Sequence, residues 1–270
     1  MSPLTFLELF LAGIATGTIG AMLGLGGGVF LVPFLVLVFG LPMHQAIATS
    51  LVAVIATSSA AAAMNVERRT VNLRLGMLLE TATVFGAILG GLTANYLSGE
   101  VLKKIFSVLL LVVSGFMIQR VRSRGGEGHV NRDGVFPGTY RDDATGETVE
   151  YAAKRIPVIL FVSLIAGNVS GLLGVGGGIF KVPAMHLISG IPMKAATATS
   201  NFMIGVTAAA SAFIYFSHGH LNPVIAASTA LGVLCGSLIG VQINRRLRGN
   251  VLTWIFVAVL LAVSIQMYLR

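Results

Sequence analysis

Charge is what this 270-residue sequence has least of. Asp, Glu, Lys and Arg together make up 10 % of it, against about 25 % in a soluble domain. So few charges cannot cover a globular surface of this size, which excludes an ordinary soluble enzyme, and the hydrophobic content excludes a disordered chain. There is a single cysteine. Cys235 therefore has no internal disulfide partner and builds no cysteine metal site; in its apolar run it reads as a small packing residue. Acid is scarcer than base, 10 residues against 18, for a net charge of +8. No basic run is interleaved with aromatics, so nucleic acid is not the partner this excess implies. Membrane proteins collect Lys and Arg in their cytoplasmic loops. A basic leader is missing too: Ser2, Pro3, Leu4, Thr5 and Glu8 enter the first apolar stretch, which argues for a retained first helix. No nucleophile–base pair and no His/Asp/Glu cluster falls at membrane depth, so the expectation is a protein that is not an enzyme, with no cofactor and no metal.

What is present is apolar. Hydrophobic types reach 55 % and the mean hydropathy is +0.88. That composition predicts an all-α, polytopic helical membrane protein. At ~20 residues per span plus turns, the length allows roughly eight to ten membrane segments.

The sequence also repeats itself. Residues 17–117 align with 167–267 at a constant offset of 150 without a gap, with 34 identities in 101 positions. Leu23-Gly24-Leu25-Gly26-Gly27-Gly28-Val29-Phe30 matches Leu173-Gly174-Val175-Gly176-Gly177-Gly178-Ile179-Phe180. Pro33 matches Pro183, and Ala48-Thr49-Ser50 matches Ala198-Thr199-Ser200. The chain thus divides into a first transmembrane repeat (1–119), a polar connector (120–155) and a second transmembrane repeat (156–270). The connector holds 13 of the 28 charged residues. Within it, residues 138–142 and 147–151 flank a Gly-containing turn and predict a small β-hairpin, either a solvated linker or a regulatory lid.

Each repeat contains five apolar pieces: 4–24, 28–40, 43–64, 74–97 and 100–119, then 156–174, 178–190, 193–215, 222–244 and 250–269. The second piece of each is about 13 residues, ~20 Å of helix against a ~30 Å hydrocarbon core. It reads as a half-helix after a break. Arg68, Arg69 and Arg74 follow the third piece of the first repeat, while the matching loop of the second has none. After the fourth piece the bias reverses, with Arg245, Arg246 and Arg248. By the positive-inside rule the two repeats are expected to be inverted in topology, with the connector cytoplasmic. Inverted repeats with broken or re-entrant helices belong to secondary transporters.

Four groups of residues could carry chemistry. The glycine-rich breaks have no Lys-Ser/Thr after them and no strand before them, so neither a P-loop nor a dinucleotide fingerprint fits. At membrane depth, Gly26, Gly27 and Gly28, and Gly176, Gly177 and Gly178, free backbone N–H groups at a helix start, either for an anion or simply for tight packing. Thr49 and Ser50, and Thr199, Ser200 and Asn201, offer neutral donors, with Thr57 and Thr207 on the faces of Ser50 and Ser200; interhelical bonding is the alternative use. Charges inside apolar pieces default to function. Lys181, three residues past Gly178, would place a cation beside the second break. Glu80 would pair with it or carry a coupling proton. His186 reads as packed or interfacial, and His44, Lys194, His218 and His220 as interfacial. Gly86-x-x-x-Gly90 and Gly236-x-x-x-Gly240 mark close helix contacts and permit a homodimer.

These residues resemble the TauE/SafE family of sulfite and organosulfonate exporters, also called probable membrane transporter proteins. The resemblance rests on Gly171 to Pro183, its first copy Gly20 to Pro33, and Ala195-Ala196-Thr197-Ala198-Thr199-Ser200-Asn201. It implies a multi-pass protein of the plasma (inner) membrane that moves a small sulfur-containing anion such as sulfite or sulfoacetate. The partners expected are that anion and the bilayer. The first copy departs from the second at Leu31 for Lys181 and Leu51 for Asn201. Alternating access carrying such an anion, or a related small organic acid, is the leading mechanism; a passive anion channel sharing the Gly-rich pocket is the alternative.

Overall fold

The computed structural model describes residues 3–23, 27–122, 134–141, 147–244 and 250–269. The molecule is all-helical apart from one hairpin. Five helices precede the connector: α1 (Pro3–Leu23), α2 (Gly28–Leu37), α3 (Met43–Glu67), α4 (Leu73–Tyr96) and α5 (Gly99–Arg122). Five follow it: α6 (Ile156–Leu173), α7 (Gly178–Pro183), α8 (Met193–Ser217), α9 (Pro223–Asn244) and α10 (Asn250–Leu269). Among the described residues, seven helices are long and apolar enough to cross a membrane, while Gly28–Leu37, Gly178–Ile188 and Phe256–Leu269 are shorter apolar helices. The protein is a polytopic, multi-pass membrane protein.

The local causes recur in both halves. Gly40 and Gly190 sit at φ 63° and 69°, a left-handed turn that glycine adopts without strain. Each ends a short helix, and Pro42 and Pro192 then cap α3 and α8. Asn72 starts α4 by accepting a hydrogen bond from Leu75 N (3.1 Å), and Asn222 starts α9 by accepting from Val224 N (3.1 Å). The α7 helix is six residues and passes into a π-helical turn, Ala184–Ile188, after Pro183. A proline has no N–H to donate, so the ladder widens there.

Packing exchanges partners between the halves. The first helix of each half lies on the fourth helix of the other: α1 on α9 and α6 on α4. Glycines make this approach possible. A Cβ at Gly86 would strike Leu164 O and one at Gly90 would strike Asn168 O. On the other side, Gly232 abuts Phe10 O, Gly236 abuts Ile14 O and Gly240 abuts Thr18 O. Both small-residue motifs are therefore engaged within the chain. Residue numbers rise together along each pair, so α1 runs with α9 and α6 with α4. The same holds for α4 and α8, joined at Asn72–Thr199, Glu80–Thr207 and Asn95–His220. Two four-helix units result. One comprises α1, α2, α3 and α9; the other comprises α6, α7, α8 and α4. They meet where α3 crosses α8.

The connector contributes β1 (Val135–Arg141) and β2 (Thr148–Ala153), an antiparallel pair in which Gly138 faces Tyr151 and Tyr140 faces Val149. The strands extend beyond the 138–142 and 147–151 expected from the sequence, because Phe136, Tyr140, Tyr151 and Ala153 pack on Leu75, Leu79, Met185 and Met203. The turn expected at 143–146 lies outside the described residues. The hairpin sits on the end of the second unit. Asn72 Nδ2 donates to Phe136 O (3.2 Å) and Lys154 N to Ser189 O (3.2 Å). Burial pushes the Tyr151 phenol above its ordinary pKa. Cys235 corrects one expectation: it is exposed rather than packed. Around a membrane-spanning bundle the outside is apolar as well, so an apolar run carries no promise of burial.

Candidate functional site

The two glycine-rich breaks come together at the centre of the molecule. Gly28 lies against Gly174 O, and Ser50 Oγ donates a hydrogen bond to that same carbonyl at 2.9 Å. Ser50 thereby ties down the break of the opposite half. Ile204 lies over Gly176 and Gly178, and Val54 over Gly28 and Gly176. Gly177 takes φ 70°, and a side chain there would press on Ala166 O and Ser170. Gly27 takes φ 78°. The expected Gly26 lies outside the described residues.

Around the second break, polar atoms are buried and left without partners. Lys181 is 1 % exposed, and its Nζ has no hydrogen-bond partner. Ser200 and Ser170 are fully buried, each with an unpartnered Oγ. Ser200 Oγ faces Gly178, and Ser170 faces Gly177. From α4, Glu80 enters the same unit and interacts as a charge with Lys181. Its Oε1 accepts a hydrogen bond from Thr207 Oγ1 at 2.7 Å, while its Oε2 has no partner. Among the described residues five buried side-chain atoms lack a partner, the fifth being Ser189 Oγ. The other four stand on α4, α6, α7 and α8, the four helices of this unit. Removing an ion from water costs several kcal/mol even after relaxation, so an ammonium left in this state makes the second unit the candidate site.

The first unit has the same backbone and different chemistry. Leu31 stands where Lys181 does, and Ala230 where Glu80 does; both are buried. Thr57, the counterpart of Thr207, returns its hydroxyl to Ala53 O at 3.1 Å. Beside these residues is a cavity of about 110 Å³ lined by Gly27, Thr57, Ser58, Asn201, Ile204 and Ser237, among others.

The expected hydroxyl clusters are thus separated by the structure. Successive helix residues point about 100° apart. Thr199 Oγ1 accepts from Asn72 N (3.1 Å), Ser200 faces Gly178, and Asn201 lines the cavity of the other unit. Thr49 is buried on α3. Lys181 pairs in charge with Glu80, and Ser200 stands beside Gly178, all within the second unit; Asn201 lines the cavity and Ser50 bonds Gly174 O. Sequence reasoning missed Ser170 and Asn72. The repeat counterpart of Ser170 is Gly20, so nothing in the pattern marked it. Asn72 matches Asn222, which was the available signal. His186 is half-buried with Nδ1 at 2.8 Å from Ile191 O. His44 and His220 stack at 4.7 Å, at the end of the bundle away from the hairpin.

Known proteins are similar to this chain over most of its length. A family model described as Sulfite exporter TauE/SafE matches residues 9–267. The chain is similar to the probable membrane transporter protein YunE of Bacillus subtilis, 27 % identical over 273 residues that cover 98 % of this chain and 97 % of that one. It is similar to the probable membrane transporter protein MJ0441 of Methanocaldococcus jannaschii, 26 % identical over 254 residues, covering 88 % and 86 %. A second Bacillus subtilis relative, the probable membrane transporter protein YdhB, is 22 % identical over 242 residues, covering 90 % of each. No solved structure matches.

Proposed function

The chain belongs to the TauE/SafE family of membrane transporters, and on that premise we propose that it is a secondary transporter of a small oxyanion across the plasma membrane. The anion class is sulfite or a sulfonate such as sulfoacetate, and its seat is the cluster around Lys181. One observation carries this reading: the Lys181 ammonium is 1 % exposed and has no hydrogen-bond partner. An anion supplies the acceptors that the ammonium lacks. Ser200 Oγ and Ser170 Oγ supply hydrogen bonds, and Gly177 and Gly178 keep side chains out of the space. Neutral donors and one cation suit a single tetrahedral or pyramidal oxyanion group, such as a sulfonate head or sulfite, because charge-assisted hydrogen bonds are short and strong.

Alternating access between two inverted repeats is the mechanism the packing supports. α4 runs with α6 and α8, while α1 runs with α9. Short turns reverse the chain between α3 and α4 and between α8 and α9. These directions support inversion for α1, α3 and α4 against α6, α8 and α9. The first unit holds a cavity near the ends of α1, α3 and α9. In the second unit Tyr215 is buried, and its hydroxyl donates to Leu172 O at 3.1 Å. Uptake of radiolabelled sulfite, sulfoacetate and methanesulfonate into proteoliposomes tests the proposal. Concentrative uptake of at least one of them supports it. Absence of flux from folded protein overturns it, and flux that only dissipates gradients assigns a channel.

A further inference from the structure

Resting on that anion seat, we propose that each anion travels with one proton, and that Glu80 carries it. The basis is a count of buried charge. When the seat is empty, Lys181 and Glu80 balance each other: they interact as charges without a hydrogen bond between them, and both are withdrawn from water. A singly charged anion beside Lys181 leaves the pocket one negative charge in excess. Burial makes that excess costly. A proton removes it, and the pocket has one atom placed to take it. Oε1 of Glu80 already accepts from Thr207 Oγ1, while Oε2 is buried with no partner.

Among the described residues, no other group facing Glu80 competes for that proton. The α6 helix carries no titratable side chain. On α8, Lys194 stands 5.7 Å over the Tyr140 ring and Tyr215 bonds Leu172 O, both away from the pocket. On the α7 arm, His186 is held at Ile191 O. The other ionisable residues of α4, Arg74 and Tyr96, lie at its two ends. The step is balanced. A proton from water on the entry side adds to Oε2 as the anion arrives and leaves to water on the exit side as the anion departs. Lys181 stays an ammonium throughout, no covalent bond of the anion changes, and a monovalent anion and its proton cross together without net charge.

Binding of methanesulfonate to the full-length protein in detergent tests this, because that anion stays ionised throughout the range and contributes no proton itself. Titration calorimetry in two buffers of different ionisation enthalpy, from about pH 6 to about pH 9, reads the protons taken up. The wild type is expected to take up about one proton per bound anion at the maximum of that range, and Glu80→Gln about none. A second reading needs no variant: wild-type affinity should weaken about tenfold per pH unit on the alkaline side. Binding that takes up no proton and ignores pH overturns the coupling and leaves the anion seat standing. Uptake that persists in Glu80→Gln overturns Glu80 as the carrier. Failure of methanesulfonate to bind overturns the anion seat and the coupling together.

Discussion

Two units of one ancestry stand side by side in this molecule, and they differ where it matters. Their backbones break at matching glycines, their third helices cross, and each borrows its fourth helix from the other half. Yet one buries Lys181 and Glu80 where the other buries Leu31 and Ala230. The neutral unit serves as an internal control. It folds around the same break with apolar side chains, so the architecture does not need the charges. Buried ion pairs are often no more stabilising than apolar residues of similar size. The pair in the second unit therefore answers to something other than folding, and the proposed anion with its proton would account for it.

The comparison breaks first at Lys181. Lys181→Leu, which copies the neutral unit, should lower anion flux about 100-fold or more, the loss expected when charge-assisted hydrogen bonds worth roughly 3 kcal/mol disappear. Adding Glu80→Ala should restore thermal stability to that of the wild type or above without restoring flux. Thermal unfolding in detergent and proteoliposome uptake read the two effects separately.

Packing, unlike chemistry, should prove symmetric. A Cβ at Gly17 runs into Val233 O, and one at Gly167 runs into Thr83 O. Gly17→Leu and Gly167→Leu should each lose about 1–3 kcal/mol or more, to similar extents, seen as reduced recovery of monodisperse protein.

The two matching serines should part company. Ser200→Ala should raise the KM for the anion about tenfold with little change in unfolding temperature. Ser50→Ala deletes the bond to Gly174 O and should cost about 1 kcal/mol of stability.

A smaller contrast lies in the caps. Asn72→Ala and Asn222→Ala each remove a helix cap worth about 1 kcal/mol. Asn72→Ala should cost more, because Asn72 Nδ2 also holds the hairpin at Phe136 O. Limited proteolysis of the hairpin then distinguishes the two variants.

The smallest effect is at the opposite end. Burial, with His44 and His218 nearby, holds the His220 imidazole below its ordinary pKa. The folded state then binds fewer protons than the unfolded one, so stability is complete above the unfolded imidazole value and is lost as pH falls through it. Wild-type unfolding temperature should drop slightly on acidification, and less so in His220→Gln.

Much of the scaffold was legible beforehand. The apolar pieces 43–64 and 193–215 became α3 and α8 with the same starts. The two short pieces became helices that end early, at Leu37 and Ile188, because glycine and proline punctuate the sequence there. Partner exchange was not legible. Repeat arithmetic assigns Glu80 to the first half, whereas packing delivers it to the second unit through the glycine faces of α4 and α6. Thr199, Ser200 and Asn201 read as one cluster because they are adjacent in sequence, but a helix turns them toward three different neighbours. Ser170 gave no signal, since only its burial without a partner marks it. The hairpin strands were found but their extent was misjudged, because their length follows from docking on Leu75, Leu79 and Met203 rather than from local pattern.

The central claim is that the charged unit, and not the neutral one, holds the anion. Crystals grown with selenite, a heavier analogue of sulfite, test it through the anomalous signal of selenium. The account predicts a peak within hydrogen-bonding reach of Lys181 Nζ and Ser200 Oγ. A peak in the cavity beside Asn201 with none at Lys181, or no peak at either, would contradict it.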